Sequence, residues 1–420
     1  MSHNESRMEQ RPARARDLGI VVGGFEVGAH NAITDVPSVA VGHATIVRGA
    51  DIRTGVTAVV PAGVLAADGR LPAALAVGNG YGKFIGATQV AELGVIETPV
   101  VLTATLSAFR AADALAGYVL ALPGWESVTS VNPVVGETND GFLSDIRDRP
   151  VTEDHVRAAL TSAAGGPVAE GAVGAGTGTG ALGFKAGIGT SSRVVGVGAR
   201  AGRQAVRVGV LVQANFSGTL TVLGVPIPKE SALAGLAPDT GAGDSQYGNS
   251  CVIVVATDVA VDARQLARIA RRALAGLVRT GSDLAGGSGD YALAFSTASP
   301  GGAVVPDGAL DPVFAATADC VEEAILNSLF MARTTTGMGG HTRYAVPHDR
   351  VRDALAAAGR PLRLSAGPQG IVTVTGGEAI PLATTTSVLL PAGVCGGRVN
   401  RVADQAPGAT ETEVQSLVRA

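Results

Sequence analysis

A serine stands where a polar stretch of the chain gives way to a strongly apolar one. The stretch GLAPDTGAGDSQYGN ends at Asn249, and Ser250 is followed by CVIVVATD, whose β-branched residues predict a buried strand. Cleavage of the Asn249–Ser250 bond would leave Ser250 with a hydroxyl and a free α-amine side by side. These groups are the minimum of an N-terminal nucleophile, because an amine with a reference pKa of about 8 is a base at neutral pH. On local sequence alone, a loop that runs into a core strand is the better explanation of the pattern.

Three further polar residues lie at the ends of apolar runs. Ser288 and Asp290 precede the run YALAFSTA, so on an extended backbone their side chains share one face. A turn that caps itself through the two side chains is the alternative. Asn215 ends the run VGVLVQAN, where its amide is able to donate to an oxyanion or to close an Asn turn. With a reference pKa of about 3.9, Asp290 is a poor base at pH 7 and is better suited to orienting another group.

The composition excludes several classes of protein. With 420 residues, 46% of them hydrophobic, the chain is long enough for one large or two ordinary domains with a sizeable core. Charged residues make up 16%, aromatic residues 4%, and the formal net charge is −4. The chain therefore has no basic stripe or stacking platform for nucleic acid and no basic patch for an anionic membrane. Lysine occurs at three positions, Lys83, Lys185 and Lys229.

Neither the glycines nor the histidines predict a cofactor. Gly178, Gly180 and Gly183 match GxGxxG, but they lie in the low-complexity run GAVGAGTGTGALG, with no convincing strand before it and no acidic residue at the expected distance after it. A loop that allows close backbone approach beside the active site explains them better. His341 and His348 lack an HExxH pattern, and the other histidines are isolated. We therefore expect neither a dinucleotide nor a catalytic metal.

The cysteines and the amino-terminal sequence favour the cytoplasm. Cys251, Cys320 and Cys395 are odd in number, far apart and without metal-binding spacing, which favours buried thiols in a reducing compartment. The opening MSHNESRMEQRPARARD lacks the apolar core of a secretory signal, and no stretch without Gly, Pro or charge is long enough to span a bilayer. The sequence thus predicts a cytoplasmic protein that makes no membrane contact.

Apolar runs of two periodicities predict an α/β fold. Strands are expected at residues 39–47, 55–61, 100–103, 194–200, 205–216, 251–258 and 291–298. Helices are expected at residues 83–94, 107–122, 154–163, 261–279 and 318–332. In the last part of the chain the pattern predicts a short hairpin over 362–377, followed by a mobile tail.

A set of motifs resembles a known family of enzymes. The motifs before the serine are RARDLGI, NAITDVPSVAVGHATI, GNGYGKFIGATQVAELGVIETPVVLT, VVGETNDGFLSDI, GFKAGIGTSSR and VQANF. Those around and after it are GNSCVIVVATD, RTGSDLAGGSGDYALAFSTA and EEAILNSLFMARTTTGMGGHTRYAVPHDR. In this order, and over about residues 14–350, the chain resembles the self-processing serine aminopeptidases that include L-aminopeptidase D-alanyl-esterase/amidase and the β-peptidyl aminopeptidases.

The resemblance implies a nucleophile and the groups that assist it. Ser250 corresponds to the nucleophile that cleavage after Asn249 releases. Ser288 and Asp290 correspond to a serine and an acidic residue that hydrogen-bond the nucleophile and orient its amine. Asn215 corresponds to the donor that stabilises the oxyanion.

The resemblance also implies a site for the substrate, with one departure. Glu137 in VVGETNDGF matches the acidic residue that holds the substrate's protonated amine, although an ordinary polar loop residue fits the local sequence as well. Phe142 stands where family members carry tyrosine, so a phenolic hydroxyl is absent. In other enzymes the loss of one well-placed donor costs roughly 3–4 kcal/mol of transition-state stabilisation. We therefore expect either a substituting water or a shifted activity and substrate preference.

The fold implied by the resemblance is a nearly continuous αββα sandwich of the N-terminal-nucleophile type. Residues 14–249 and 250–356 are expected to be two chains of this one domain, with 229–249 as a linker exposed enough to be remodelled. Residues 1–13 form a polar tail, and 357–420 are an extension of unknown role. The resemblance further implies a homotetramer of such two-chain units.

The function implied is that of a self-activated aminopeptidase, amidase and esterase. Its substrate would be a small peptide, amide or ester with a free amine, attacked by Ser250 without a cofactor. One alternative is an acyltransferase or oligoamide hydrolase, as in ornithine acetyltransferase or the nylon-oligomer hydrolases, but those relatives use threonine at the position of Ser250. Another is a non-catalytic binding protein, for which Phe142 is the only hint. No motif encodes a preference among L-α, D and β-amino acids.

Overall fold

Helices and strands are interspersed along the chain in a computed structural model, which confirms the mixed α/β class. The described residues are 10–198, 204–235, 249–298 and 303–360, together with four short strands between residues 362 and 390. The α-helices are α1 (Ala87–Leu93), α2 (Ala108–Leu120), α3 (Glu153–Thr161), α4 (Lys229–Ala232), α5 (Ala263–Arg279), α6 (Asp311–Phe330) and α7 (His348–Ala357).

The strands fall into two large sheets and several small pairs. Those of the first part of the chain are β1 (Val39–Arg48), β2 (Ile52–Pro61), β3 (Leu71–Gly80), β4 (Phe84–Ile85), β5 (Val95–Ile96), β6 (Val100–Ala104) and β7 (Val134–Thr138). The middle part contains β8 (Gly180–Ala181), β9 (Phe184–Lys185), β10 (Ile188–Val197), β11 (Gln204–Asn215), β12 (Thr221–Val222), β13 (Val225–Pro226), β14 (Asn249–Thr257) and β15 (Ser288–Ser296). The last part contains β16 (Thr335–Thr336), β17 (Thr342–Arg343), β18 (Leu362–Leu364), β19 (Ile371–Thr373), β20 (Ala379–Pro381) and β21 (Val388–Leu390).

The strand that carries Ser250 lies in the interior of the larger sheet. This sheet has six strands in the order β10-β11-β14-β15-β3-β5, and the other has five in the order β1-β2-β6-β7-β4. β14 pairs antiparallel with β11 on one side and parallel with β15 on the other. Because both of its faces are covered, β14 is apolar along nearly its whole length rather than alternating with polar residues.

Three apolar clusters hold the sheets and helices together. One lies between the six-stranded sheet and helices α5 and α6, and includes Ile253 and Leu326. A second lies between the five-stranded sheet and helices α2 and α3, and includes Val101 and Leu115. The third combines side chains of both sheets, among them Val254. Each sheet is therefore covered by helices on one face and shares apolar side chains with the other sheet.

Local sequence explains the two helices that cover the larger sheet. Asp262 caps α5 by accepting a hydrogen bond from Gln265 N at 2.7 Å, and the Gln265 side chain accepts one from Asp262 N. The buried residues of α5 recur every three or four positions, so one face of the helix packs on the core. Helix α6 has Pro312 in its first turn and is buried almost all round. Within the described residues, every helix is too short or too polar to cross a bilayer.

A buried carboxylate joins the amino-terminal segment to α6. Glu323, with no exposed surface, accepts hydrogen bonds from Arg193 Nη2 at 2.6 Å, Arg16 Nε at 2.9 Å and Asn31 Nδ2 at 2.5 Å. Arg193 is itself buried on β10. Three segments distant in sequence, namely the amino-terminal segment, β10 and α6, are therefore fixed at one point of the core.

Some of the predicted elements are wrong in detail. Phe84 and Ile85 form β4 rather than the start of a helix, because Gly86 adopts a left-handed φ of 90° and α1 begins only after it. The predicted hairpin over 362–377 is also wrong, since β18 pairs with β21 and β19 with β20. Strands β3 and β7 and helix α7 were not predicted.

Other predictions are confirmed or lie outside the described residues. Cys251 and Cys320 are buried free thiols, as expected, whereas Cys395 lies outside the described part of the chain. In the predicted linker over 229–249, Lys229–Ala232 forms α4 and Asn249 begins β14, while 236–248 lie outside the described residues.

Candidate active site

Ser250 occupies the second position of β14, where the strand begins. Its Oγ donates to the carbonyl oxygen of Asn249 at 2.5 Å and accepts from Gly289 N at 3.2 Å. The residue is 5% exposed. The hydroxyl of Ser250 thus lies beside the carbonyl group of the peptide bond that precedes it.

Ser288 and Asp290 lie on β15, next to Ser250 but on the opposite face of the sheet. Ser288 Oγ donates to Asp290 Oδ1 at 2.8 Å, so the predicted shared face is confirmed. In the parallel register Ser250 lies beside Gly289, whereas Asp290 lies beside Cys251. Strand alternation therefore directs Ser250 toward the five-stranded sheet and the Ser288–Asp290 pair toward the helices. In the uncut chain the Asp290 carboxyl accepts a hydrogen bond from the backbone of Cys251, the residue after Ser250.

The Asp290 carboxyl group is electrostatically unusual. Burial raises its pKa to about 6, although the hydrogen bond from Ser288 acts to lower it. Oδ2 of Asp290 has no hydrogen-bond donor among the described residues. A buried acceptor without a donor costs stability, so the fold retains at this position a group that packing alone would disfavour.

Two glycines allow close contact between β15, the neighbour of the strand of Ser250, and the loop after β3. A Cβ atom on Gly289 would lie 2.6 Å from Gly82 Cα and 3.2 Å from Ser250 Oγ. Tyr291 on β15 fixes this loop by donating from its hydroxyl to Gly82 O at 2.7 Å. The motifs that contain Gly82 and Gly289 are visible in the sequence, but nothing in the sequence shows that these two residues meet.

Glu137 lies at the same loop and is almost completely buried. Its Oε1 accepts from Lys83 N at 2.7 Å and lies 3.6 Å from Lys83 Nζ. A Cβ atom on Gly82 would be 3.0 Å from Oε1, so the carboxylate approaches the loop backbone directly. Lys83 Nζ also donates to Thr105 Oγ1 at 2.7 Å. Glu137 is therefore held beside an ammonium group, a contact that a substrate amine would also make.

Asn215 ends β11 directly opposite Ser250. The two residues are register partners in the antiparallel pair of β11 and β14. Asn215 Nδ2 donates to Asn139 O at 3.0 Å, and Oδ1 accepts from Gly180 N at 3.1 Å. These bonds fix the orientation of the amide between the ETNDGF loop and the glycine-rich segment, on the strand that pairs with that of Ser250.

The phenyl ring of Phe142 is packed between residues of the connection that follows α6. It stacks on the imidazole of His341, with centroids 4.8 Å apart and an interplanar angle of 17°. The guanidinium carbon of Arg343 lies 4.1 Å from the ring centroid, within the range of a cation–π contact. His341 Nδ1 also lies 3.0 Å from Phe142 O. The position that lacks the phenolic hydroxyl thus anchors a cationic side chain.

Two buried ionisable groups beside the site were not predicted. Burial raises the pKa of Asp140, in the ETNDGF loop, to about 7, and burial together with the charge of Arg343 lowers the pKa of Lys185 to about 7. Lys185 Nζ donates to Gly176 O at 3.0 Å and to Ala186 O. No local sequence signal identifies either residue, because their environment is made by segments that are distant in sequence.

A cavity of about 540 Å³ opens beside the peptide bond at Asn249. Its walls come from the glycine-rich segment, from the turn after β11, from α4 and from the loop before β15. Asn215, Asn249 and Arg343 are among the described residues that line it. Four of the predicted residues lie at the same end of three neighbouring strands: Asn215 on β11, Ser250 on β14, and Ser288 and Asp290 on β15. The fifth, Glu137, lies against Gly82, which in turn packs on Gly289 of β15.

Comparison with known proteins gives the family. The model of peptidase family S58 matches residues 31–343. The chain is 40% identical over 372 residues to the β-peptidyl aminopeptidase BapA of Sphingosinicella microcystinivorans, covering 81% of this chain and 91% of the relative.

Solved structures agree with this match. The PH0078 protein of Pyrococcus horikoshii OT3 is 41% identical with a TM-score of 0.75, and the match covers 83% of this chain and all of that one. The L-aminopeptidase D-Ala-esterase/amidase of Ochrobactrum anthropi, described as a variant of the Ntn hydrolase fold, is 36% identical with a TM-score of 0.73 and is covered to 99%, against 83% of this chain. The resemblance inferred from the motifs and the hydrolase class are confirmed, and the chain belongs to peptidase family S58.

Proposed function

We propose that this chain is an autoproteolytically activated aminopeptidase that also cleaves amino-acid amides and esters, with Ser250 as its nucleophile. The contact of 2.5 Å between Ser250 Oγ and Asn249 O is the observation that carries this proposal. The aminopeptidase names of two relatives and the family match support the reaction class. The substrate is then a small peptide, amide or ester that carries a free amine.

The proposed fold is an αββα sandwich of the N-terminal-nucleophile type. Its support is that helices cover one face of each sheet and that one apolar cluster is shared by the two sheets. Residues 14–249 and 250–356 would form the two chains of this domain after cleavage. We also propose, on the resemblance alone, that these units assemble into a homotetramer. From the cysteines and the amino-terminal sequence we propose a cytoplasmic location.

Processing begins when Ser250 Oγ attacks the carbonyl carbon of Asn249. The C–N bond breaks, the hydroxyl proton passes to the departing amide nitrogen, and an ester joins Asn249 to Ser250 Oγ. Water then hydrolyses this ester and leaves a carboxylate on Asn249 and a free hydroxyl and amine on Ser250. Release of the first residue of β14 frees Ser250 to rotate, which would bring its amine and hydroxyl closer to the Ser288–Asp290 pair.

The mature site uses the same chemistry on a substrate. The Ser250 amine takes the hydroxyl proton as Oγ attacks the substrate carbonyl, and the departing amine or alcohol receives that proton. An acyl-enzyme remains, and water or a second amine resolves it. Asp290 orients and charge-balances the Ser250 amine, since its raised pKa still leaves it ionised at neutral pH.

Two other residues have roles in this proposal. Asn215 Nδ2 donates to the oxyanion that forms on the substrate carbonyl. Glu137 binds the substrate's ammonium group, and Lys83, which it contacts in the free protein, holds the carboxylate in position. Since Phe142 has no hydroxyl, either a water molecule takes the place of the phenolic donor expected in the family or the activity and substrate preference are shifted.

Mass spectrometry of the purified protein tests the proposal. The 41.8 kDa chain should give two fragments of roughly 25 and 17 kDa, in proportion to the residues before and after the cut. N-terminal sequencing of the smaller fragment should begin at Ser250, and Ser250→Ala should remain whole and inactive. A fragment with another first residue, or efficient cutting of Ser250→Ala, would remove the nucleophile assignment. A whole wild-type chain without turnover of aminoacyl anilides would favour a binding protein.

A further inference from the structure

The proposed nucleophile and the proposed amine clamp belong to different sheets. Ser250 lies on β14 of the six-stranded sheet, whereas Glu137 lies on β7 of the five-stranded sheet. A substrate that is held by its amine at Glu137 and attacked at its carbonyl by Ser250 therefore spans the gap between two strands. An α-amino acid has one carbon atom between these groups and a β-amino acid has two, a difference of about 1.5 Å for one C–C bond. The distance between β7 and β14 thus bears on the length of backbone that fits.

A glycine allows these two strands to lie close together. Gly136 precedes Glu137 on β7, and a Cβ atom at this position would lie 2.9 Å from Val252 Cγ1 and 3.2 Å from Val252 Cγ2. Val252 is buried on β14, two residues after Ser250. Carbon atoms in ordinary contact are about 3.5–4.0 Å apart, and a valine side chain has little rotational freedom. Any side chain at position 136 would therefore push the two strands apart.

Gln213 is a polar side chain in the space between the sheets. It lies on β11, two residues before Asn215, which is the register partner of Ser250, so Gln213 and Ser250 share one face of their sheet. Gln213 has no exposed surface, and its Oε1 has no hydrogen-bond donor among the described residues. A buried acceptor without a donor costs roughly 1–3 kcal/mol. Methionine would fill the same space without this cost, which indicates that the amide is retained for its donor group.

The amide nitrogen of Gln213 joins β11 to the strands of the amine clamp. Nε2 donates to Thr138 Oγ1 at 2.9 Å, to Ala175 O at 3.0 Å and to Thr103 O at 3.2 Å, so its two hydrogens are shared among three acceptors. Thr103 is the register partner of Glu137, and Thr138 is the next residue of β7. The backbone that carries Glu137 is therefore held against the strand adjacent to that of the nucleophile.

We infer that Gly136 and Gln213 set the distance between Glu137 and Ser250, and that this distance selects substrates by the number of carbon atoms between their amine and their carbonyl. Gly136 lets β7 approach β14, and Gln213 keeps the two sheets at that separation. Both are positioning residues, since each acts through Glu137 and Ser250. The inference rests on the proposed aminopeptidase function and extends it to the discrimination between α- and β-aminoacyl substrates.

Two substrates that differ by one methylene group test this inference. Glycyl and β-alanyl p-nitroanilide carry no side chain, so the ratio of their kcat/KM values reports the backbone length alone. For the processed wild-type enzyme the two values should differ at least about tenfold, because a substrate of the wrong length misplaces its carbonyl relative to Ser250. Gly136→Ala should shift the ratio at least about fivefold toward the longer β-alanyl compound, since it moves β7 away from β14.

Two further variants separate the effect of spacing from a loss of stability. Gly136→Ala/Val252→Ala removes the methyl groups that the new Cβ atom would meet, so its ratio should return to within about twofold of the wild-type value. Gln213→Met keeps the volume but loses the donor, and it should bring the ratio closer to one. Esters of N-acetylglycine and N-acetyl-β-alanine have no ammonium group for Glu137, so their ratio should be the same in every variant.

Gly117→Ala is the matched control. Gly117 lies on α2, where a Cβ atom would meet no neighbouring segment of the described residues within 4 Å, so the ratio should stay at the wild-type value. A wild-type ratio close to one would overturn the spacing inference alone, as would a wild-type ratio in Gly136→Ala or in Gln213→Met. An equal shift with the N-acetylated esters would also overturn it. Absence of turnover for every aminoacyl compound would instead overturn the proposed function and this inference together.

Discussion

Two buried carboxylates of this protein lie in opposite electrostatic environments. Burial acts to raise the pKa of Glu323, but the charges of Arg193 and Arg16 outweigh it and lower the pKa below its usual value. At Asp290 burial dominates, and the pKa rises to about 6. Glu323 accepts hydrogen bonds from three side chains, two of them cationic, whereas the Asp290 carboxyl accepts one from the Ser288 hydroxyl and one from the backbone of Cys251, and no cationic group among the described residues lowers its pKa.

This difference distinguishes a carboxylate of the structural core from the carboxylate that we propose to assist catalysis. Glu323 connects the amino-terminal segment, β10 and α6, so its ionised form is part of the folded structure. Asp290 has a pKa close to neutral pH and lies beside the strand of the proposed nucleophile. Its burial lowers the stability of the fold, and the rest of the core must offset this loss. Perturbed carboxyl groups of the second kind are typical of functional sites.

The largest effect is expected on stability from Glu323→Gln. Loss of the charge leaves Arg193 buried without its partner, which should lower the free energy of unfolding by about 3–5 kcal/mol. Urea unfolding in the Ser250→Ala background measures this, because every variant then unfolds as one chain. Asp307→Asn, which removes an exposed partner of Arg264, is the control and should have a much smaller effect. Similar losses in both variants would contradict a special role for the buried network.

Asp290→Asn should show the reverse pattern. We expect turnover of an aminoacyl anilide to fall at least about tenfold, because the group that orients the Ser250 amine is lost. The free energy of unfolding should stay the same or increase, since the buried charge is removed. Ser288→Ala should lower turnover by a similar factor. Wild-type kinetics in either variant would instead favour the alternative interpretation, in which Ser288 and Asp290 only cap a turn.

Glu137→Gln tests a third carboxylate, the proposed amine clamp. A carboxylate binds an ammonium group more strongly than a neutral amide does, so kcat/KM for amine-bearing substrates should fall about tenfold or more. An N-acetylated ester, which has no ammonium group, should be comparatively unaffected. Equal losses for both substrate classes would show that Glu137 supports only the structure of the site. A wild-type preference for the N-acetylated ester would favour the acyltransferase alternative.

The smallest effect is a pH dependence that sharpens the comparison. The pKa of Asp290 is about 6 in the folded protein and 3.8 in a model compound, so the folded state binds the proton more tightly between these values. Its protonation therefore stabilises the fold as pH falls through about 6, and that stabilisation is lost as pH rises. The unfolding free energies of Ser250→Ala and of Ser250→Ala/Asp290→Asn should therefore be compared as a function of pH. As the pH is lowered from about 8 to about 5, the protein with Asp290 should become more stable relative to the one with asparagine. A difference that is constant over this range would show that the pKa is not raised.

Prediction from the sequence succeeded where one element carries the signal. The apolar spacing of residues 261–279 predicted the helix that the structure has at Ala263–Arg279, and the β-branched residues after Ser250 predicted its strand. Strand β3, LPAALAVGNG, was missed because alanine and glycine give it neither a strong β preference nor a clear alternation. The expected helix at 83–94 began too early, since only the backbone reveals that Gly86 separates β4 from α1.

The sequence by itself determined the family, the chemical types at the candidate site and the junction at Ser250, because these are properties of local motifs and their order. Only the tertiary structure decided on which face of a sheet each side chain of these motifs lies and how far apart the side chains are. It directs Ser250 and the Ser288–Asp290 pair to opposite faces of one sheet, and it packs Arg343 on Gly180 and Phe142. The reason is physical, since register, burial and charge environment arise from contacts between segments far apart in the chain, which a motif does not contain.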